Sequence, residues 1–111
     1  MSDREDIAAL LDTVEGVQGY TFRPTVVNTG DAFSLLETME RGPVTDFEVT
    51  WRVIIVLPLG EQDAMSWFMD MYQPIAEALE DFGLVERIEP GTLATEAGTR
   101  DVMILTVRKE A

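Results

Sequence analysis

The chain has 111 residues, 46% of them hydrophobic, with 21 acidic against 8 basic side chains, no histidine and no cysteine. That length supports one domain, residues 1–111, with a single core, and the apolar share is too high for a disordered tail. A net charge of −13 and a pI near 4.1 exclude a free-standing nucleic-acid-binding module, which needs clustered cations to replace counterions, whereas the one lysine and seven arginines here are scattered.

Val53 to Leu57, the longest apolar run, is far shorter than the ~20 residues of a membrane span. The N-terminal Met-Ser-Asp-Arg-Glu-Asp lacks the basic start and apolar stretch of a signal peptide, so cytoplasmic synthesis without membrane association is the expectation. Solubility is the ordinary reason for such acidity, and a surface that lies beside DNA without adhering is the sharper one.

Ile7, Leu10, Leu11 and Val14 recur at helical spacing, which predicts an amphipathic helix over 3–15, capped by Ser2 or Asp3 and stopped by Gly16. Gly16-Val-Gln-Gly19 reads as a turn, followed by a short strand near Tyr20 to Arg23 that Pro24 confines to an edge or a strand end. Between 24 and 46 the pattern weakens. Ala32 to Met39 fits either a helical turn, with Phe33, Leu36 and Met39 three apart, or a short strand, and Arg41 to Asp46 reads as a loop.

The segment Asp46 to Pro58 is the clearest in the chain. Phe47, Val49, Trp51, Val53, Ile55 and Leu57 alternate with Glu48, Thr50 and Arg52, and from Ile54 both faces are apolar. Such a strand starts at a rim and ends covered on both sides. A second helix is predicted over 63–82, with Phe68, Tyr72, Ile75, Leu79 and Phe82 as its apolar stripe, widened by Ala64, Met65 and Met71. Pro74 is expected to bend or restart that helix, and Gly83 to end it as a left-handed cap. Two strands follow, Leu84 to Thr95 with an interruption at Pro90-Gly91, and Asp101 to Arg108, joined by Glu96 to Arg100. The order predicts the α+β class: a mixed or antiparallel sheet of about four or five strands with two main helices packed on it.

Chemistry has little to draw on. Without histidine or cysteine the commonest base, metal ligand and thiol nucleophile are missing. The serines, Ser2, Ser34 and Ser66, lie in no nucleophile elbow, and no glycine-rich loop cradles a phosphate. Asp63, Asp70 and Glu77 line up on the second helix, the ordinary solvated face of an amphipathic helix, and no calcium loop is present. The expectation is therefore no enzyme, with no catalytic residue, no cofactor and no metal.

Apolar surplus points instead to a partner. The first half of the second helix is apolar nearly all round, so Trp67 and Met71 exceed what covering a sheet requires, and Trp51 is either core or contact. Arg23, Arg52, Arg87 and Arg100, scarce cations among many acids, fit inter-subunit anchors or pairs within one subunit.

In order and spacing, Gly19-Tyr-Thr-Phe-Arg-Pro24, Gly30-Asp-Ala-Phe33, Thr50-Trp-Arg-Val-Ile-Ile-Val-Leu-Pro58, the acidic helix through Trp67 and Ala78-Leu79, and Ile88-Glu-Pro90 resemble the tail terminator proteins of long-tailed bacteriophages, siphoviruses of actinobacteria in particular. Phe33 stands where those sequences usually have tryptophan, and Ser34 to Val44 matches nothing in the pattern. The resemblance implies a small α+β virion subunit, made in the host cytoplasm, that forms a homohexameric ring on the tail tube at the head–tail junction. Such a ring stops tube polymerisation and offers the surface for the neck or head-completion protein. Its partners would be itself, the tail tube protein and the neck protein, with DNA only passing through an acidic lumen. Arg23, Phe33, Trp51, Arg52 and Trp67 are the expected contact residues. Another head–tail connector, a neck or minor tail protein, is the alternative, and a small ligand-binding α+β domain with Trp51, Trp67 and Tyr72 around a pocket is a further one.

Overall fold

The computed structural model describes residues 2–41 and 47–110 and has the α+β architecture expected: two helices on a five-stranded mixed sheet. Helix α1, Asp3–Asp12, starts on a reciprocal cap in which the Ser2 hydroxyl accepts from the Glu5 amide at 3.2 Å and the Glu5 carboxylate accepts from the Ser2 amide. It ends three residues earlier than its periodicity predicts. The Thr13 amide and hydroxyl both donate to the Leu10 carbonyl, which diverts the backbone from another helical turn. Val14 is still buried, as a loop residue.

Strand β1 is only Gln18–Gly19, parallel to the start of β2, Asp31–Arg41. The strand expected at Tyr20 to Arg23 does not form. After the Tyr20 amide bonds the Ala32 carbonyl, the chain leaves the sheet edge, and Tyr20 and Val27 pack over the sheet's second face. The ambiguous stretch after Gly30 is a strand of 11 residues, and the loop expected at Arg41 to Asp46 lies outside the described residues from Gly42 on. Strand β3, Phe47–Val56, pairs antiparallel with β2 on one side and with β5, Gly98–Glu110, on the other. Strand β4, Leu84–Thr95, closes the order β1-β2-β3-β5-β4. It runs unbroken through Pro90-Gly91, and its link to β5 is the pair Glu96-Ala97, shorter than the five residues expected, because β5 begins at Gly98.

Helix α2, Glu61–Leu79, continues through Pro74 as one element. Gly83 is not its left-handed cap. Glu80 caps the helix in the right-handed region, and Gly83 is required for a different reason: a Cβ there would collide with the Arg108 carbonyl oxygen of β5.

Both helices lie on one face of the sheet, where Ile7, Leu11, Ile75 and Leu79 meet Val49, Trp51, Val53, Ile55, Met103, Leu105 and Val107. The alternation of β3 is thus an alternation of faces. On the opposite face Phe33, Ile54, Val56 and Val102 form a smaller core beneath the crossing segment, with Tyr20, Val27, Leu35, Leu93 and Ile104 around them. That second face splits in two. Its lower half is apolar and covered, and its upper half, around Thr50, Arg52, Glu86, Arg87 and Thr106, is polar and open. Ser34, opposite Val53 and so on the helix side, is fully buried and its hydroxyl has no hydrogen-bond partner among the described residues. A desolvated, unpaired hydroxyl destabilises the fold. Ser34→Ala should therefore raise stability by ~1 kcal/mol and the thermal midpoint by roughly 4–8 °C in a melt followed by circular dichroism.

Candidate assembly surfaces

The five expected contact residues separate by burial. Phe33 is fully buried under the crossing segment, and Trp51, 8% exposed, belongs to the helix-side core with its Nε1 donating to Asp3 Oδ2 at 3.3 Å. Both are interior residues, which corrects their assignment as contacts: the alternation that marks a strand does not say which side of it a neighbouring segment covers. Trp67 is half-buried against the helix-side core. Arg23 is exposed and donates to the Ala94 carbonyl at 2.5 Å, so it fastens the crossing segment to β4. Arg52 is half-buried on the open polar half of the second face. The structure therefore does not gather these five at one place.

Most cations are engaged within the chain. The Arg4 guanidinium lies 4.9 Å from the Phe22 ring centroid and 5.7 Å from that of Trp51, and Arg41 lies 5.1 Å from Phe47. Arg100 donates to the Leu57 carbonyl at 2.7 Å and to the Thr29 hydroxyl. Arg108 pairs with Glu86 at 2.8 Å, and Lys109 with Asp3 at 3.0 Å. Arg52 and Arg87, aligned across the sheet on either side of Thr106, form no ion pair among the described residues.

Most uncovered apolar side chains fall in two places, while Val26, Leu59 and Leu84 are exposed outside them. The first is the upper end of β2 and β3, with Leu36, Met39 and Phe47 exposed, and exposed Phe22 shares Arg4 with Trp51, the register partner of Leu36. By register Leu36 is opposite Trp51 and Met39 opposite Val49, so both are on the helix side of the sheet. The second is the outer flank of α2, where Met65, Met69 and Tyr72 are exposed at helical spacing and Met65 shares a groove with Pro90 and Gly91 of β4. Sequence reasoning placed the surplus at Trp67 and Met71. The structure packs both against the core, and Met65 and Tyr72, assigned to the apolar stripe, stand outside it with Met69. With Trp51 buried, Trp67 half-buried and Tyr72 exposed, these three do not have the common enclosure that an aromatic ligand pocket needs.

Asp63, Asp70 and Glu77 are all exposed on α2. Among the described residues no three acidic groups are placed to hold a metal ion together. No helix there is long and apolar enough to cross a membrane. No protein-family model matches the chain, and no curated protein matches it in sequence.

Proposed function

We propose that this chain is a non-enzymatic structural subunit of a long-tailed bacteriophage virion, a tail terminator that assembles with itself into a hexameric ring. The ring caps the tail tube, stops its polymerisation and presents the tail side of the joint to the neck or head-completion protein. The observation that carries the reading is the pair of uncovered apolar patches, at the upper end of β2–β3 and on the flank of α2. A chain of net charge −13 that leaves methionines, leucine and phenylalanines uncovered in two places has surface that association would bury.

The residues that carry the resemblance support it from within the fold. Gly30 sits where β1, β2 and β3 meet, donating to the Val56 carbonyl and accepting from the Gln18 amide, and Thr50 to Pro58 supplies the central strand. The mechanism proposed is steric: a finished ring removes the surface on which the next tube ring would add. Its acidic character would let DNA pass without adhering.

Light scattering over a concentration series, with negative-stain images of the same sample, tests this. The expected result is a mass near six times 12.4 kDa and particles with a central hole that bind one end of tail tubes. A monomer at every concentration that also fails to bind tubes would overturn it.

A further inference from the structure

We infer that the two apolar patches are the two halves of one head-to-tail contact between copies of this chain: the flank of α2 on one copy lies against the upper β2–β3 edge of the next. The inference deepens the ring reading and rests on its premise that the chain assembles with itself.

Placement is the first ground. β2 and β4 stand on opposite sides of the sheet, and β1 covers β2 only beside Asp31 and Ala32. Leu36 and Met39 face the helix side at one edge, and Met65, Met69 and Tyr72 occupy the helix layer above the other. Two patches in one layer at opposite edges can be joined by a lateral translation and rotation between copies, the relation that makes a heterologous contact and closes into a ring when the rotation allows.

Charge is the second. The β2–β3 patch has Arg4 and Arg41 at its margin, both held over aromatic rings of the patch or its neighbour Trp51, while the exposed Glu37 and Glu40 of β2 belong to the opposite face. The charged side chains of α2 itself are all acidic, with Glu61 before the stripe and Asp70 beside it, both exposed, and Glu80 just past the helix end. A two-fold contact of either patch with itself sets like charges against each other, whereas the head-to-tail contact sets arginines against carboxylates.

The edges themselves decide the mode. β4 carries a bulge at Glu86 and a proline at 90, and β2 a bulge at Glu37, features that discourage an edge from adding another strand. The contact is therefore made by side chains, helix flank over strand edge, and not by extending the sheet. Two contacts of ~800 Å² per partner, the size of a stable interface, would occupy about a quarter of the 6550 Å² surface.

The test uses Leu36→Glu and Met69→Glu, each placing a charge in one patch at an exposed site, with circular dichroism and the thermal midpoint confirming that each folds. Sedimentation velocity should show each variant alone as a monomer under conditions where the unaltered chain assembles. An equimolar mixture should give a species of twice 12.4 kDa and nothing larger, because each pair retains one intact contact. The milder Leu36→Gln and Met69→Gln serve in the same way if a glutamate unfolds the chain. A variant that dimerises by itself would show a two-fold contact and overturn the inference. So would a mixture that stays monomeric, or an unaltered chain that never assembles. Rings in both single variants would sink these surfaces while leaving the ring reading intact. The mixed dimer together with open filaments of the unaltered chain would do the reverse.

Discussion

Phe33→Ala is expected to cost ~3–5 kcal/mol, the usual penalty for emptying a fully buried aromatic site. Phe33 has no exposed surface and packs with Ile54, Val56 and Val102 under the segment that carries Tyr20 and Val27. This core is the smaller of the two and is roofed by irregular chain, not by a helix, so little regular structure can close over the void. Against a total stability of ~5–15 kcal/mol for a domain of this kind, the loss is a large fraction. The thermal midpoint should fall by about 12 °C or more, measured by circular dichroism at a concentration where the unaltered chain is monomeric. An unchanged midpoint combined with lost assembly would instead return Phe33 to the role of a contact and contradict its burial.

Gly30→Ala and Gly60→Ala form the second expectation, because the two glycines share a similar positive φ, +88° and +91°, in different surroundings. Around Gly60 a Cβ would meet nothing within 4 Å among the described residues, so that substitution carries only backbone strain, ~1–3 kcal/mol. At Gly30 a Cβ would collide with the Gly16 carbonyl oxygen, while the Gly30 amide and carbonyl are both committed to the sheet, to Val56 and Gln18. The Gly30 backbone cannot retreat without breaking those bonds. Gly30→Ala should therefore lose more than ~4 kcal/mol, a range reached only by a few kinds of substitution. Urea denaturation of both variants checks the difference, and equal midpoints would show that the Gly16–Gly30 approach is not tight in solution.

Periodic elements were legible in the residues, and elements defined by a neighbour were not. β3 and both helices announce themselves because burial on one side repeats at 2 or 3.6 residues. β2 conceals itself through its bulge. Phe33 and Leu35 point to one side and Leu36 to the other by plain alternation, and the extra residue at Glu37 then keeps Met39, three positions on, on the same side as Leu36. The spacing of three that results imitates a helical turn. β1 is two residues long and exists only because β2 lies beside it. Gly83 read as a helix cap because its local sequence permits one, whereas its requirement comes from the distant Arg108 carbonyl. For the surfaces, the apolar excess on α2 was visible in composition, but its direction was not. Trp67 and Met71 turn inward beside α1 and the sheet, leaving Met65, Met69 and Tyr72 outside.

The strand order β1-β2-β3-β5-β4 also divides the sheet's pairings into local and long-range ones. β2 with β3, and β4 with β5 across Glu96-Ala97, are pairs of consecutive strands, so each closes with a short excursion of chain. β3 and β5 meet only across the long excursion that contains α2 and β4. The added loop entropy is modest, ~2 kcal/mol for a tenfold longer loop. Yet it falls on a single event. Apart from the two residues of β1, the sheet consists of two hairpins joined only where β3 pairs with β5, and Trp51 opposite Val107 and Val53 opposite Leu105 line that seam.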